Sequence, residues 1–438
     1  MTHLSIREWD RVPVCNGSGP VPAGHFTRKQ ANALTSTARD HRLGGDEGTG
    51  ILRDHYQHLT AQQMVGVIAA DGCSLEILPK IEVEGCGDET QVRRRLVHML
   101  NVALGLDIGE GATTSMARQN ETLLDVLIRS FSERLLIQAR TGLPREYVAC
   151  EADLPHLRGR LDVLRQFTAN AVRPDRLACR FDALSPDVAL MQVMKACVVF
   201  LRRFARAPAT QRQLDELRFL FSDVSDVRPR DLSWERVRID RTSRRWEVLY
   251  RLARLFLQRE WQATHHSSKS AEGVTLLFPM NDLFEAYVAA QLSRSLRGTD
   301  LSVQSQGGRL YCLLEDGVQG KSRFQTKPDL LIKRGAEVVA VADTKWKHLS
   351  PEIDNPKRGI SQADVYQMMA YGRLYSCSNL VLIYPFHDGL GPAEIEAGYA
   401  ITNTDDRLRV ASINIATDQR NVQRRLRNLV LSQPQSAS

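Results

Sequence analysis

Two short apolar runs constrain the fold of this chain more than any other feature of its sequence. Leu330-Leu331-Ile332 and Val338-Val339-Ala340-Val341-Ala342 are branched or small residues without polar interruption, and the segment between them contains Gly335. Runs of this kind on either side of a turn residue predict the two strands of a β-hairpin. With Gly335-Ala336-Glu337 as the loop, Arg334 pairs with Val338, and five further steps along each strand set Asp329 opposite Asp343. Period-two alternation places Lys345 on the face of Asp343 and turns Thr344 and Trp346 to the other.

Two carboxylates that meet at the ends of apolar strands repel one another and lose hydration unless a cation lies between them. An all-oxygen site of this sort suits a hard divalent ion, Mg²⁺ or Mn²⁺. Beside an ammonium it suits phosphodiester hydrolysis. The ion polarises the phosphate and acidifies a bound water, and the lysine positions that water or offsets the added negative charge. Asp-x-Lys alone usually marks a surface ion pair. The preceding Pro328-Asp329, the hairpin spacing and the flanking strands distinguish this instance, with a structural ion-pair cluster as the alternative.

The chain has 438 residues, 43% hydrophobic and 25% charged, which excludes general disorder and predicts two or three domains. Its net charge of +7 lies entirely within Leu201–Ser270, where fifteen Arg and one Lys face nine acidic residues. So local an excess can attract a polyanion, and Arg251 and Arg254 are candidate DNA contacts; a solvated helix face with internal ion pairs is the competing reading. The eight cysteines are scattered with no C-x-x-C pair, so neither a disulfide framework nor a zinc site is expected. No secretory start or membrane span is evident, and the chain is expected to be cytoplasmic. Gly320-Lys321-Ser322 resembles the end of a phosphate-binding loop, but Glu315 stands where a glycine is required, so no nucleotide is expected to bind this chain.

Along the chain, Val65–Ala69 and Leu75–Ile81 flank Asp71-Gly72 as a second hairpin, and a helical patch spans Arg28 to Arg39. Helical spacing begins near Gln91 and returns from Val188 to Trp261, interrupted by short strands at Tyr147–Cys150 and Leu161–Leu164. Trp246, Leu249, Tyr250, Ala253, Phe256 and Leu257 form one helical stripe and read as core. The polar stretch Thr264–Ser270 marks a boundary, after which Pro279 to Gly298 carries start and stop signals of a helix. The predicted layout is a strand-rich docking region at 1–90, a mainly helical middle at 91–265, an α/β domain at 266–418, and a helix and tail at 419–438.

Pro328-Asp329 followed by Asp343-Thr344-Lys345 resembles the PD-(D/E)xK nuclease core, with Asp at the middle acidic position where many members carry Glu. Glu285, in Leu283-Phe284-Glu285, is similar to the acidic residue such nucleases place on the helix before the core sheet. Gln367 and Tyr371 resemble the Gln-x-x-x-Tyr element of the RecB-like branch. With Ile77-Leu78-Pro79-Lys80 and Leu157-Arg158-Gly159-Arg160-Leu161-Asp162, these motifs occur in the order of the McrC family, nuclease subunits of McrBC modification-dependent restriction systems, over about residues 5 to 420.

The resemblance implies an α+β or α/β multidomain fold ending in a restriction-endonuclease-like domain. It implies Mg²⁺-dependent cleavage of double-stranded, modified DNA, and a hexameric McrB-type AAA+ GTPase as partner. Asp329, Asp343 and the Thr344 carbonyl would ligate the metal, Glu285 would join them directly or through water, Lys345 would act on the attacking water, and Gln367 would hold substrate or the lysine. Lys347 and Tyr371 would be further DNA contacts. A motor-independent repair nuclease and an idle DNA-binding adaptor remain the alternatives.

Overall fold

The computed structural model describes residues 2–431 apart from 18, 40, 45–48, 71, 81–88, 107–121, 174, 259–273, 317–320, 350–359 and 392–393. The boundary expected at Thr264–Ser270 and the tail beyond Leu431 lie outside the described residues. Two compact units form: Met1–Leu123 together with Leu277–Ser438, and Leu124–Leu276. Among the described residues no helix is long and apolar enough to cross a membrane.

The first unit begins with a sheet in which Thr2–Arg7 runs parallel to Cys73–Leu78, itself antiparallel to Met64–Ala70. The expected hairpin is present, with Ala70 opposite Cys73 and Gly72 at φ +74° in the turn. Val274–Pro279 completes the order on the far side of Met64–Ala70. The helix Arg28–Arg39 buries Ala31, Leu34 and Ala38 with Phe26, Ile51 and Leu59, closing a second small sheet.

The helix expected to open a middle domain near residue 91 instead belongs to this unit. Glu89–Leu104 sends Arg93 to the fully buried Glu76, with Nε 2.8 Å from Oε1 and Nη2 2.5 Å from Oε2, and the Leu123 amide donates to the same carboxylate at 2.8 Å. The same helix packs along Met280–Ser295. A buried carboxylate on a central strand needs such a partner, and this requirement overrides the change of sequence character at 91.

The C-terminal part of the unit is a six-stranded sheet in the order Leu301–Ser305, Leu330–Arg334, Glu337–Thr344, Asn379–Pro385, Arg407–Ile413, Glu396–Ala400. The Glu337–Thr344, Asn379–Pro385 and Arg407–Ile413 strands are parallel, and the helix Gln362–Tyr375 makes the crossover between the first two. Met368 and Tyr371 of that helix pack on Leu331, Val341, Leu380 and Leu382. Helices Met280–Ser295 and Gln419–Leu431 also pack on the sheet and on each other. Strands enclosed in this way read as continuous apolar runs.

The central hairpin differs from the expected one in its turn. Arg334 pairs with Glu337, not Val338, across a two-residue Gly335-Ala336 turn with Gly335 at φ +60°. Lys333 then faces Val338 and Ile332 faces Ala340, so Val339 is an extra residue, a β-bulge. The bulge restores the expected register: Leu330 lies opposite Ala342, and the next step sets Asp329 against Asp343.

In the second unit, helices Leu123–Arg140, Ala189–Arg202, Pro208–Leu220 and Glu247–Gln258 carry the buried Phe131, Leu201, Leu214 and Phe256. Trp246 is fully buried, as its stripe predicts, and sits in a 3-10 turn just before the last of these helices. The strand Glu146–Leu154 pairs with Leu177–Ser185. Of the expected Leu161–Leu164 strand only Leu161 is extended, together with Arg160 in a two-residue strand; Val163–Phe167 is a short helix because Asp162 caps it, accepting from the Arg165 amide at 3.1 Å.

Candidate active site

The sheet brings the predicted hairpin residues together where the Glu337–Thr344 strand ends. Asp329, just before the adjoining Leu330–Arg334 strand, turns its carboxylate across the hairpin, where Oδ2 accepts from the Thr344 amide at 2.7 Å and from the Thr344 hydroxyl at 2.8 Å. Burial raises its pKa, against those two hydrogen bonds. Asp343 is 1% exposed. Burial first, and the charge of Asp329 second, push its pKa up to about 7 despite the nearby ammonium of Lys345.

Lys345 Nζ lies 2.6 Å from Asp343 Oδ2 in an ion pair. The ammonium also donates to Gln367 Oε1 at 3.2 Å, and Gln367 Nε2 donates to the Tyr371 hydroxyl at 2.7 Å. Tyr371 therefore fixes which end of the amide faces the lysine. Gln367 and Tyr371 share a helix face because they are four residues apart.

Glu285 sits on the Met280–Ser295 helix, with Gln306 Nε2 donating to it at 3.4 Å. Burial, then the charge of Asp329, raise its pKa to about 8. Among the described residues no three His, Cys, Asp or Glu side chains gather as a metal-ligand set, and Glu285 lies close enough to Asp329 to feel its charge. What the site offers a cation is two neighbouring carboxylates whose pKa values are raised by burial. That donor set fits a hard divalent ion in character, with main-chain carbonyl or water oxygens required to complete the shell.

Sequence reasoning missed Asp364. It is buried, in the first turn of the Gln362–Tyr375 helix, with Lys347 Nζ 3.1 Å and Lys345 Nζ 3.9 Å away. Its position three before Gln367 and seven before Tyr371 puts all three on one helical face, a signal present in the sequence. Glu8 was also missed. Its side chain is buried and accepts from the Lys80 amide at 3.1 Å and from Trp346 Nε1 at 3.3 Å, next to Lys345. The indole in turn rests on Phe284, with ring centroids 5.4 Å apart, beside Glu285 on its helix. Ile77-Leu78-Pro79-Lys80 thus reaches the site through one buried carboxylate.

Of the remaining candidates, Lys347 joins the site by pairing with Asp364. Arg251 and Arg254 belong to the second unit, where Arg251 pairs with Glu247 at 3.6 Å and Arg254 lies over the Tyr250 ring. Arg251 and Tyr250 line a surface cavity of about 570 Å³ with Arg241, Arg244, Asp240 and Glu247.

Fold and site define a two-unit α/β protein with a buried and a half-buried aspartate paired beside a lysine at the end of a central strand. Residues 59–385, about three quarters of the chain, match the family described as the McrBC 5-methylcytosine restriction system component, and the chain belongs to that family. Its fold is similar to a chain in the refined half-complex of the tetradecameric assembly of Thermococcus gammatolerans McrB AAA+ hexamers with bound McrC. That match has 21% identity and a TM-score of 0.70 over 98% of this chain and 100% of that one. A chain of the cryo-EM structure of the Thermococcus gammatolerans McrBC complex matches at 22% identity and a TM-score of 0.54, over 67% of this chain and 88% of that one. No curated protein matches.

Proposed function

We propose that the chain is the Mg²⁺-dependent DNA endonuclease subunit of a McrBC-like restriction complex, with residues 266–418 as its PD-(D/E)xK domain. The observation that carries this reading is the juxtaposition of Asp329 and Asp343 across the hairpin with Lys345 in ion-pair contact. Asp329, Asp343 and the Thr344 carbonyl would hold Mg²⁺ or Mn²⁺, and Glu285 would contribute directly or through water. The bound ion supplies Lewis acidity at the scissile phosphate and a water of lowered pKa. Lys345 orients that water. Gln367, held by Tyr371, keeps the ammonium in place.

Cleavage is proposed to require a hexameric McrB-type AAA+ GTPase, which supplies the energy input. Residues 1–90 would serve docking, and Arg251, Arg254 and Lys347 would meet the phosphates of double-stranded, modified DNA. Asp343→Ala should abolish cleavage and leave partner binding intact. The test uses purified protein, DNA and Mg²⁺, with and without the co-purifying motor and GTP or ATP. Cleavage only with motor and nucleotide is the expected result. Cleavage by the protein alone would indicate a motor-independent nuclease, and none under any condition an idle adaptor; retained activity in Asp343→Ala removes the site assignment.

A further inference from the structure

We propose that Asp364 is a positioning residue for Lys345: it is the carboxylate that receives the ammonium when a divalent cation takes Asp343. The proposal rests on the reading of Asp343 as a metal ligand. The ammonium lies on an oxygen that a cation would need, because Lys345 Nζ is 2.6 Å from Asp343 Oδ2. A divalent ion and an ammonium on the same carboxylate oxygen repel strongly, and an ammonium moved off it without a new acceptor would be left partly desolvated.

Asp364 removes that obstacle. Its Oδ1 is 3.9 Å from Lys345 Nζ, so a small rotation of the lysine side chain converts one ion pair into another. The carboxylate is already oriented: Lys347 Nζ donates to Oδ2 at 3.1 Å and, at a longer 3.4 Å, to Oδ1, and the hydroxyl of the buried Tyr384 donates to Oδ2 at 3.5 Å, so Oδ1 is the less tightly held oxygen. Gln367 keeps its own hydrogen bond at 3.2 Å and serves as the pivot. The lysine would thereby clear the metal position yet stay beside the water it orients.

Mn²⁺ binding to the full chain, measured by calorimetry without DNA, tests this in a double-mutant cycle of Asp364→Asn and Lys345→Met. With Lys345 present, Asp364→Asn should weaken Mn²⁺ binding by about tenfold more than it does in the Lys345→Met background. An equal loss in both backgrounds would mean that Asp364 acts only through its own charge or through the fold, and would overturn the proposal. A crystal structure of the wild-type protein with Ca²⁺ gives a check that needs no variant. Lys345 Nζ should be hydrogen-bonded to Asp364, and an ammonium still on Asp343 beside a bound ion refutes the transfer. If the wild type binds no Mn²⁺ at all, the metal reading itself fails, a result separate from either outcome of the cycle.

Discussion

Glu76 keeps a charge with none of its side chain exposed, and its surroundings explain how. Burial alone would raise its pKa, but hydrogen bonds from Arg93, His3 and Ser5 outweigh it and hold the group at about 2. The folded state therefore prefers the ionised form more than the unfolded chain does, and this contribution is complete above the ordinary value of 4.5. It fades as pH falls from there towards 2, and denaturant unfolding at pH 5 and pH 3 should show the first unit weaken over that interval. Glu76→Gln should remove this pH dependence and cost about 3 kcal/mol, because the buried Arg93 loses its closest carboxylate. Neither Glu76 nor Glu8 can be singled out in the sequence. A lone acid in an apolar strand gives no sign of which distant arginine, amide or indole will meet it.

At the scale of elements, the hairpin at the site is legible in the sequence and its turn is not. The apolar runs and Gly335 locate both strands and set Asp329 against Asp343, yet the loop is one residue shorter than expected and Val339 bulges to compensate. Val339 stands among residues of the same character, so nothing in the pattern marks it as the one to leave the ladder. The helix Gln362–Tyr375 is legible only in part: resemblance singles out Gln367 and Tyr371, whereas Asp364 on the same face belongs to no motif. That helix ends on Ser376 in the left-handed region at φ 51°, with its amide bonded to the Gly372 carbonyl. A side chain there is strained, so Ser376→Gly should stabilise the protein by about 0.5 to 1 kcal/mol, read as a raised thermal midpoint with unchanged cleavage.

Across the whole molecule, the charge distribution locates a basic segment but not its use. Arg251 and Arg254 each have an intramolecular neighbour, Glu247 and Tyr250, which a DNA-facing role must outcompete. Replacing both with Glu should flatten the dependence of DNA affinity on salt by about 0.9 in the log–log slope for each phosphate that the protein no longer neutralises. An unchanged slope would leave these arginines as a solvated helix face. The division of the chain is also only partly legible, since an insertion that separates two halves of one unit looks, in sequence, like three consecutive domains.

That interruption matters when the chain is made. The Met64–Ala70 strand leaves the ribosome with one edge paired to Cys73–Leu78, while its other neighbour, Val274–Pro279, follows about 200 residues later. At roughly 5 to 20 residues per second, the apolar open edge waits about 10 to 40 s for its partner. An unpaired strand edge of this composition invites association with other chains. The helical unit between the halves can fold during the same interval, so the candidate site is assembled last, after everything that will support it has been synthesised.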